Sequence, residues 1–169
     1  MIRPFFMLCK IDKYLRKIYI ISGYLAALFL ILVATFIITG IASRIFGFYI
    51  RGLAEYSGYS MAAASFLALA YTFGEKGHIR ITLFLEKTKA NTRKILEVWC
   101  LFITTFFSGF LSYYFLRMLF FSIKFGERSE GADEIYIWIP QVPVAVGSAI
   151  FFICVLHNFV LLIYKKNKY

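Results

Sequence analysis

The chain has 169 residues, of which 61% are hydrophobic and 20% aromatic, and its formal net charge is +10 at pH 7. Together with a mean hydropathy of +0.74, this composition excludes an ordinary soluble domain. The positive charge does not indicate nucleic-acid binding, because most basic residues flank long apolar stretches where membrane topology and anionic lipid headgroups account for them.

Four apolar stretches predict transmembrane helices. They cover about residues 18–43, 54–74, 95–116 and 141–164. Each reaches the roughly 20 residues that a helix rising ~1.5 Å per residue needs to cross ~30 Å of hydrocarbon. The first is longer than the apolar run of about 7–15 residues in a signal peptide, so we expect it to be retained. The predicted fold is an all-α integral membrane protein, a single membrane domain over residues 1–169 with short interfacial amphipathic helices.

Basic residues fall mostly on alternate sides of these stretches. Of the 19 Lys and Arg residues, 14 lie in the N-terminal segment, the loop between the second and third stretches, and the C-terminal segment. The other five are Arg44, Arg51, Arg117, Lys124 and Arg128. Because short basic loops stay in the cytoplasm, both chain ends are predicted to lie inside.

The second stretch is unusually rich in small side chains. Ser60, Ala64 and Ala68 form a line at i, i+4 and i+8. Small residues let helix backbones approach closely, and this packing drives helix association in lipid. We predict that this line is a packing face; the sequence leaves open whether it faces the chain's own helices or a partner protein.

Cysteine and histidine are too sparse for redox chemistry. Cys9, Cys100 and Cys154 include no CxxC pair, and a haem held by two imidazoles needs two embedded histidines, whereas only His157 falls inside a stretch. We expect His157 to form a structural hydrogen bond together with Asn158. No catalytic residue, metal ligand or cofactor site is predicted.

Features of an autonomous transporter are also missing from the sequence. Glu55 and Glu97 lie at the ends of the apolar stretches, and no carboxylate lies at mid-span. Pro4, Pro140 and Pro143 lie at or outside the predicted span ends, so the helices are predicted to be continuous, unlike those of many secondary transporters.

Two segments are predicted to lie on the inner membrane surface. The N-terminal residues, with Phe5 and Phe6 among basic side chains, have an amphipathic pattern. Gly74 and Gly77 are predicted to end the second helix, and a short interfacial helix is predicted from Ile79 to Lys87.

The outer side carries two further predicted features. The loop before the last stretch contains four carboxylates, Glu127, Glu130, Asp133 and Glu134, against Arg128 alone. Such a loop is either simply solvated or a docking surface for a partner. Arg44 and Glu55 flank the turn between the first two stretches and are predicted to form a structural charge pair, with Arg51 as a competing partner for Glu55.

Several short motifs in order along the chain resemble one protein family. They are Arg44 with Phe46, Glu55 followed by Ser57-Gly58-Tyr59, the small-residue run through Ser65-Phe66-Leu67-Ala68, Gly77-His78-Ile79-Arg80-Ile81, and Ile139-Pro140-Gln141-Val142-Pro143 with Gly147. From about residue 15 to 160 the chain resembles the small membrane subunit of TRAP transporters, the DctQ-like family. It departs from the family where Ala54 precedes Glu55 without a second acidic residue, and where no tryptophan accompanies the second proline.

The resemblance implies a subunit of a three-part transporter in the bacterial inner membrane. The implied partners are a large permease subunit, which couples uptake of a small organic acid such as a C4-dicarboxylate or sialic acid to Na⁺, and a periplasmic solute-binding protein. This chain would brace the permease and help dock the binding protein, with no ion site of its own. The alternatives are a four-helix membrane-anchored enzyme or redox carrier, and a four-helix transporter acting as an oligomer.

Overall fold

Four helices make up the fold in the computed structural model, which describes residues 3–85, 90–131 and 134–166, with side chains over 12–74, 95–131 and 134–163. The helices are α1 (Arg3–Ile45), α2 (Leu53–Leu85), α3 (Ala90–Phe125) and α4 (Trp138–Lys166). Within these ranges no β-strand forms, apart from an isolated antiparallel bridge between Arg128 and Tyr136. The all-helical fold class is confirmed.

Three of the four helices are long and apolar enough to cross a membrane. They are Asp12–Ile45, Ile95–Phe125 and Trp138–Ile163, with mean hydropathies of 2.7, 1.7 and 2.3. The described part of α2 is not among them, because alanine, serine, glycine and tyrosine dominate it and lower its hydropathy. The same small side chains that predict close packing therefore weaken its membrane signal.

The helices lie side by side in the order α1, α2, α4, α3. α1 packs mainly on α2, α4 packs on both α2 and α3, and α1 meets α4 only slightly. Along α1 and α2 the contacts run in opposite directions: Ser22 donates a hydrogen bond to the Leu67 carbonyl, and the Phe36 ring lies 5.9 Å from the Tyr56 ring. These two helices are therefore antiparallel.

Helix α4 runs parallel to α2 and antiparallel to α3. Gly147 lies against Phe66 and Leu67, and further along both helices the Cys154 thiol contacts the Ala70 carbonyl at 3.5 Å. Across the other interface Gly109 meets the Phe152 ring. The start of α1, the end of α2, the start of α3 and the end of α4 consequently share one end of the molecule, where the three basic segments meet; we call this the basic end.

The helices extend beyond the predicted spans, and two predicted breaks are wrong. α2 continues through Gly74 and Gly77 to Leu85, because a glycine inside a helix costs about 1 kcal/mol but does not by itself stop it. Gly74 also has a packing role, since a Cβ there would lie 3.5 Å from Tyr19 and 3.7 Å from Cys154. The segment from Ile79 is thus part of α2 and not a separate helix; the Ile79–Lys87 side chains and residues 86–89 lie outside the described part.

The structure also differs from the sequence prediction at the start of α1 and at Pro143 of α4. α1 begins at Arg3, so the N-terminal segment continues directly into the first span; the side chains of Phe5 and Phe6 lie outside the described part. Pro143 lies inside α4, which begins at Trp138. Proline cannot donate the backbone hydrogen bond that would close the preceding turn.

Candidate partner interface

One face of α2 forms the centre of the molecule. Ser60, Ala63, Ala64, Leu67 and Ala70 are all buried, with exposed fractions between 0% and 7%. The buried Ser22 hydroxyl of α1 donates to the Leu67 carbonyl on this face. Since the residues lining it are small, both α1 and α4 can lie close to the α2 backbone.

The predicted line of small residues coincides with this face only in part. Ser60 and Ala64 are buried inside the chain, whereas Ala68 is half-buried. Four-residue steps on a helix of 3.6 residues per turn advance about 40° beyond a full turn, so Ala68 is rotated roughly 80° from Ser60. The chain's own helices therefore cover the first two residues, and packing of this line against a partner stays a prediction.

A close helix approach occurs at Gly147 of α4. A Cβ added there would lie 2.8 Å from the Phe66 carbonyl carbon and 2.9 Å from the Leu67 nitrogen, both backbone atoms of α2. The glycines at the other two interfaces face aromatic rings instead: Gly23 faces Tyr71 and Gly109 faces Phe152. Among the described glycines, Gly147 at the α2–α4 interface is the one that directly approaches a neighbouring backbone.

Arg44 and Glu55 do not form the predicted charge pair with each other. The described salt bridges do not join them, Arg44 is exposed, and Glu55 is half-buried in the first turn of α2. Gly47 and Gly52, with φ of +76° and +80°, set the path of the loop between them. A carboxylate in the first turn interacts favourably with the helix dipole, so a structural role for Glu55 stays a prediction that does not require an arginine partner.

We therefore expect weak coupling between these two residues. A double-mutant cycle with Arg44→Gln and Glu55→Gln, measured by unfolding of the isolated chain in micelles, should give a coupling free energy below about 0.5 kcal/mol. A coupling of 2 kcal/mol or more, on the order expected for a partly buried pair, would restore the predicted ion pair.

The loop between α3 and α4 is held in a compact shape by hydrogen bonds. The Ser129 amide donates to the Ile135 carbonyl at 2.7 Å, and the Ile137 amide donates to the Glu127 carbonyl at 3.1 Å. The Tyr59 and Ser129 hydroxyls are 3.0 Å apart, so the loop is tied to the first turns of α2. It lies at the end of the molecule opposite the basic end.

Most of the loop's carboxylates point into solvent. Glu130 and Glu134 are exposed, and Glu127, also exposed, accepts a 2.9 Å hydrogen bond from the Ser122 hydroxyl. None of the described salt bridges joins Arg128 to them; its guanidinium instead lies 4.9 Å from the Tyr136 ring centre and donates to the Tyr136 hydroxyl. Asp133 lies outside the described residues. The described loop therefore presents negative charge away from the helices.

A polar cluster that the sequence did not predict lies near the basic end. The Asp12 carboxylate of α1 is 3.8 Å from Nε2 of His157 in α4, and Arg16 approaches the same carboxylate at 3.6 Å. Asn158 donates to the Cys154 carbonyl of its own helix at 2.8 Å, so His157 and Asn158 make separate interactions and not the expected joint one. The cluster joins α1 to α4 where those helices otherwise barely meet.

Much of the molecule's apolar surface is uncovered in the single chain. In the most apolar windows of α1, α3 and α4, only 6%, 17% and 22% of the residues are buried. No group of three or more His, Cys, Asp or Glu residues suited to a metal ion occurs in the part of the chain that the structure describes. The candidate functional regions are thus surfaces: the uncovered helix faces and the acidic loop.

Comparison with known proteins identifies the family. A scan against protein-family models matches residues 32–164 to the family described as tripartite ATP-independent periplasmic transporters, DctQ component. A search of curated proteins and a search of solved structures each gave no match. The match covers the last third of α1, all of α2 and α3, and all but the last two residues of α4. The alternative of a membrane-anchored enzyme or redox carrier is therefore wrong, and the chain belongs to the DctQ family, the small permease subunits of TRAP transporters.

Proposed function

We propose that this subunit braces the large permease subunit and helps dock the solute-binding protein during Na⁺-coupled uptake of a small organic acid. The family match over residues 32–164 carries the proposal. Substrate and ion sites are assigned to the permease, since the described spans of this chain contain no carboxylate at mid-span. The permease and the binding protein, and not this chain, would determine which acid is transported.

We further propose that all four helices cross the bacterial inner membrane with both chain ends in the cytoplasm. α2 packs along the whole apolar part of α1 and runs antiparallel to it, so a spanning α1 places the two ends of α2 on opposite sides. The N-terminal segment, the connection between α2 and α3, and the C-terminal segment all belong to the basic end. Together they contain 14 of the 19 Lys and Arg residues. By the positive-inside rule this end faces the cytoplasm, and the acidic loop faces the periplasm.

Bracing would use the uncovered helix faces. The single chain leaves α1 and α3 largely uncovered at the two edges of the helix layer, and such a face is covered either by lipid or by another subunit. Affinity purification of the tagged chain, coexpressed with its large permease subunit, should recover a stoichiometric complex. Recovery of the chain alone, in a detergent that keeps the permease folded, would contradict this role.

Docking of the binding protein is proposed for the acidic loop. Complementary charge at a transient interface mainly raises the rate of encounter and makes it sensitive to salt. Neutralising Glu127, Glu130, Asp133 and Glu134 to the amides should slow uptake at limiting binding-protein concentration. It should also flatten the dependence of uptake on ionic strength while leaving assembly with the permease unchanged.

The matched control for this experiment is Glu55→Gln, which removes one carboxylate from the same end of the molecule but outside the loop. It should retain the salt dependence of the unmodified protein. If the quadruple variant shows the same apparent affinity for the binding protein at low and high salt, the loop is merely solvated and docking occurs elsewhere.

A further inference from the structure

An open groove lies along α3 where it packs on α4. Its volume is about 420 Å³. Its main lining residues are Ile103, Thr104, Phe107, Phe110 and Leu111 of α3 and Phe151 of α4. The groove lies within the apolar segment of α3, so hydrocarbon and not water would surround it.

The groove is mainly apolar, and its hydroxyl groups already have hydrogen-bond partners. The Thr104 hydroxyl donates to the Cys100 carbonyl at 2.7 Å. The hydroxyl of Ser108, which also lines the groove, donates to the Thr105 carbonyl at 3.1 Å. Both hydroxyls are thus satisfied within α3. A ligand in the groove would need no hydrogen-bonding groups, and a flexible alkyl chain fits that chemistry.

The positively charged side chain of Arg117 lies further along α3, beyond the groove. Arg117 follows the lining residue Phe110 by seven residues, or nearly two helical turns, which places it on the same face of α3 about 10 Å further along. Its exposed guanidinium lies 5.5 Å from the Phe121 ring centre, and it forms no salt bridge with the described residues. The segment Ile95–Phe125 is longer than the roughly 20 residues that a span requires. Arg117 directly follows the predicted stretch 95–116, where an exposed arginine reaches the depth of lipid phosphates.

We propose that this groove and Arg117 together bind one anionic phospholipid of the adjacent leaflet, with an acyl chain in the groove and the headgroup phosphate at the guanidinium. The groove lies at mid-span, where a lipid has its acyl chain. Arg117 lies towards the membrane boundary, where the lipid has its negatively charged headgroup. The inference is independent of the proposed transport function, because it concerns the isolated chain in a bilayer.

Quenching of tryptophan fluorescence by brominated lipids tests the proposal. In a parent variant with Trp99→Phe and Trp138→Phe, Phe107→Trp reports on the groove and Leu28→Trp reports on an exposed face of α1. The variants are placed in phosphatidylcholine vesicles that contain brominated phosphatidylglycerol or brominated phosphatidylcholine at equal mole fraction. If Phe107→Trp does not fold, Phe110→Trp reports on the same groove.

We expect the groove reporter to show roughly a fivefold preference for phosphatidylglycerol, the effect of about one arginine–headgroup attraction. The Leu28→Trp reporter should show a ratio near one. Adding Arg117→Gln should reduce the groove ratio to about one, whereas Arg51→Gln, which removes an exposed cation from the same end of the molecule, should leave it unchanged.

Three results would overturn the proposal. Equal quenching by both lipids at the groove reporter would show that no headgroup is recognised. A preference that survives Arg117→Gln would assign it to another residue. An equally strong preference at the Leu28→Trp reporter would show that the whole membrane surface of the chain, and not the groove, attracts the anionic lipid.

Discussion

Gly147→Leu is expected to prevent close packing of α2 and α4, and Gly147→Ala should lower the free energy of unfolding by about 1–3 kcal/mol. Even a single Cβ would lie within 2.8–2.9 Å of two backbone atoms of α2, at Phe66 and Leu67. Backbone atoms cannot rotate away as a side chain can, so the two helices must separate. Because α3 packs mainly on α4, moving α4 away from α2 would also move α3 and disturb the whole layer of helices.

The measurement is unfolding of the purified chain in mixed micelles by a denaturing detergent, followed by helicity. Gly58→Ala is the matched control, since nothing lies within 4 Å of a Cβ at that position. Alanine in place of a helical glycine should then stabilise the chain slightly, by about 0.5–1 kcal/mol. If Gly147→Ala is as stable as Gly58→Ala, the helices do not approach as described.

Ala64→Leu is expected to have the second-largest effect. Ala64 is 2% exposed on the central face of α2, and a buried small residue replaced by leucine must displace its neighbours at a cost of about 1–3 kcal/mol. The thermal stability of the isolated chain should fall. If the altered helix spacing also reaches the outer faces, copurification with the permease should fall as well.

Ala34→Leu is the matched control for this substitution, because Ala34 is exposed on the apolar surface of α1. The same added side chain should be tolerated there. If Ala64→Leu leaves both thermal stability and copurification unchanged, while an aromatic residue of α1 or α3 proves essential to both, the assignment of α2 as the central packed helix is wrong.

The apolar helices were predictable because their signal is local. Length and apolarity alone identify α1, α3 and α4, since a span of hydrocarbon requires a continuous run of apolar residues. Helix ends were less predictable. Gly74 and Gly77 have weak helix propensity, but packing of Gly74 against Tyr19 and Cys154 favours a continuous α2.

Residue pairs that depend on the tertiary arrangement were not predictable from the sequence. Asp12 and His157 are far apart in the chain and meet only because α1 and α4 share the basic end. Arg44 and Glu55 are near in sequence, yet the path of the intervening loop leaves them without a mutual salt bridge. Similarly, small residues identified the packed helix, but the buried face shifts from Ala68 to Leu67 and Ala70 because of the helical repeat.

We propose that this chain supports a TRAP transporter without forming a transport pathway itself. The most direct measurement is Na⁺-driven uptake of candidate organic acids into proteoliposomes that contain this chain alone, the permease with the binding protein, or all three proteins. We predict no uptake by the chain alone, and full uptake only when all three are present. Uptake by the chain alone, or undiminished uptake by permease and binding protein without it, would contradict the account.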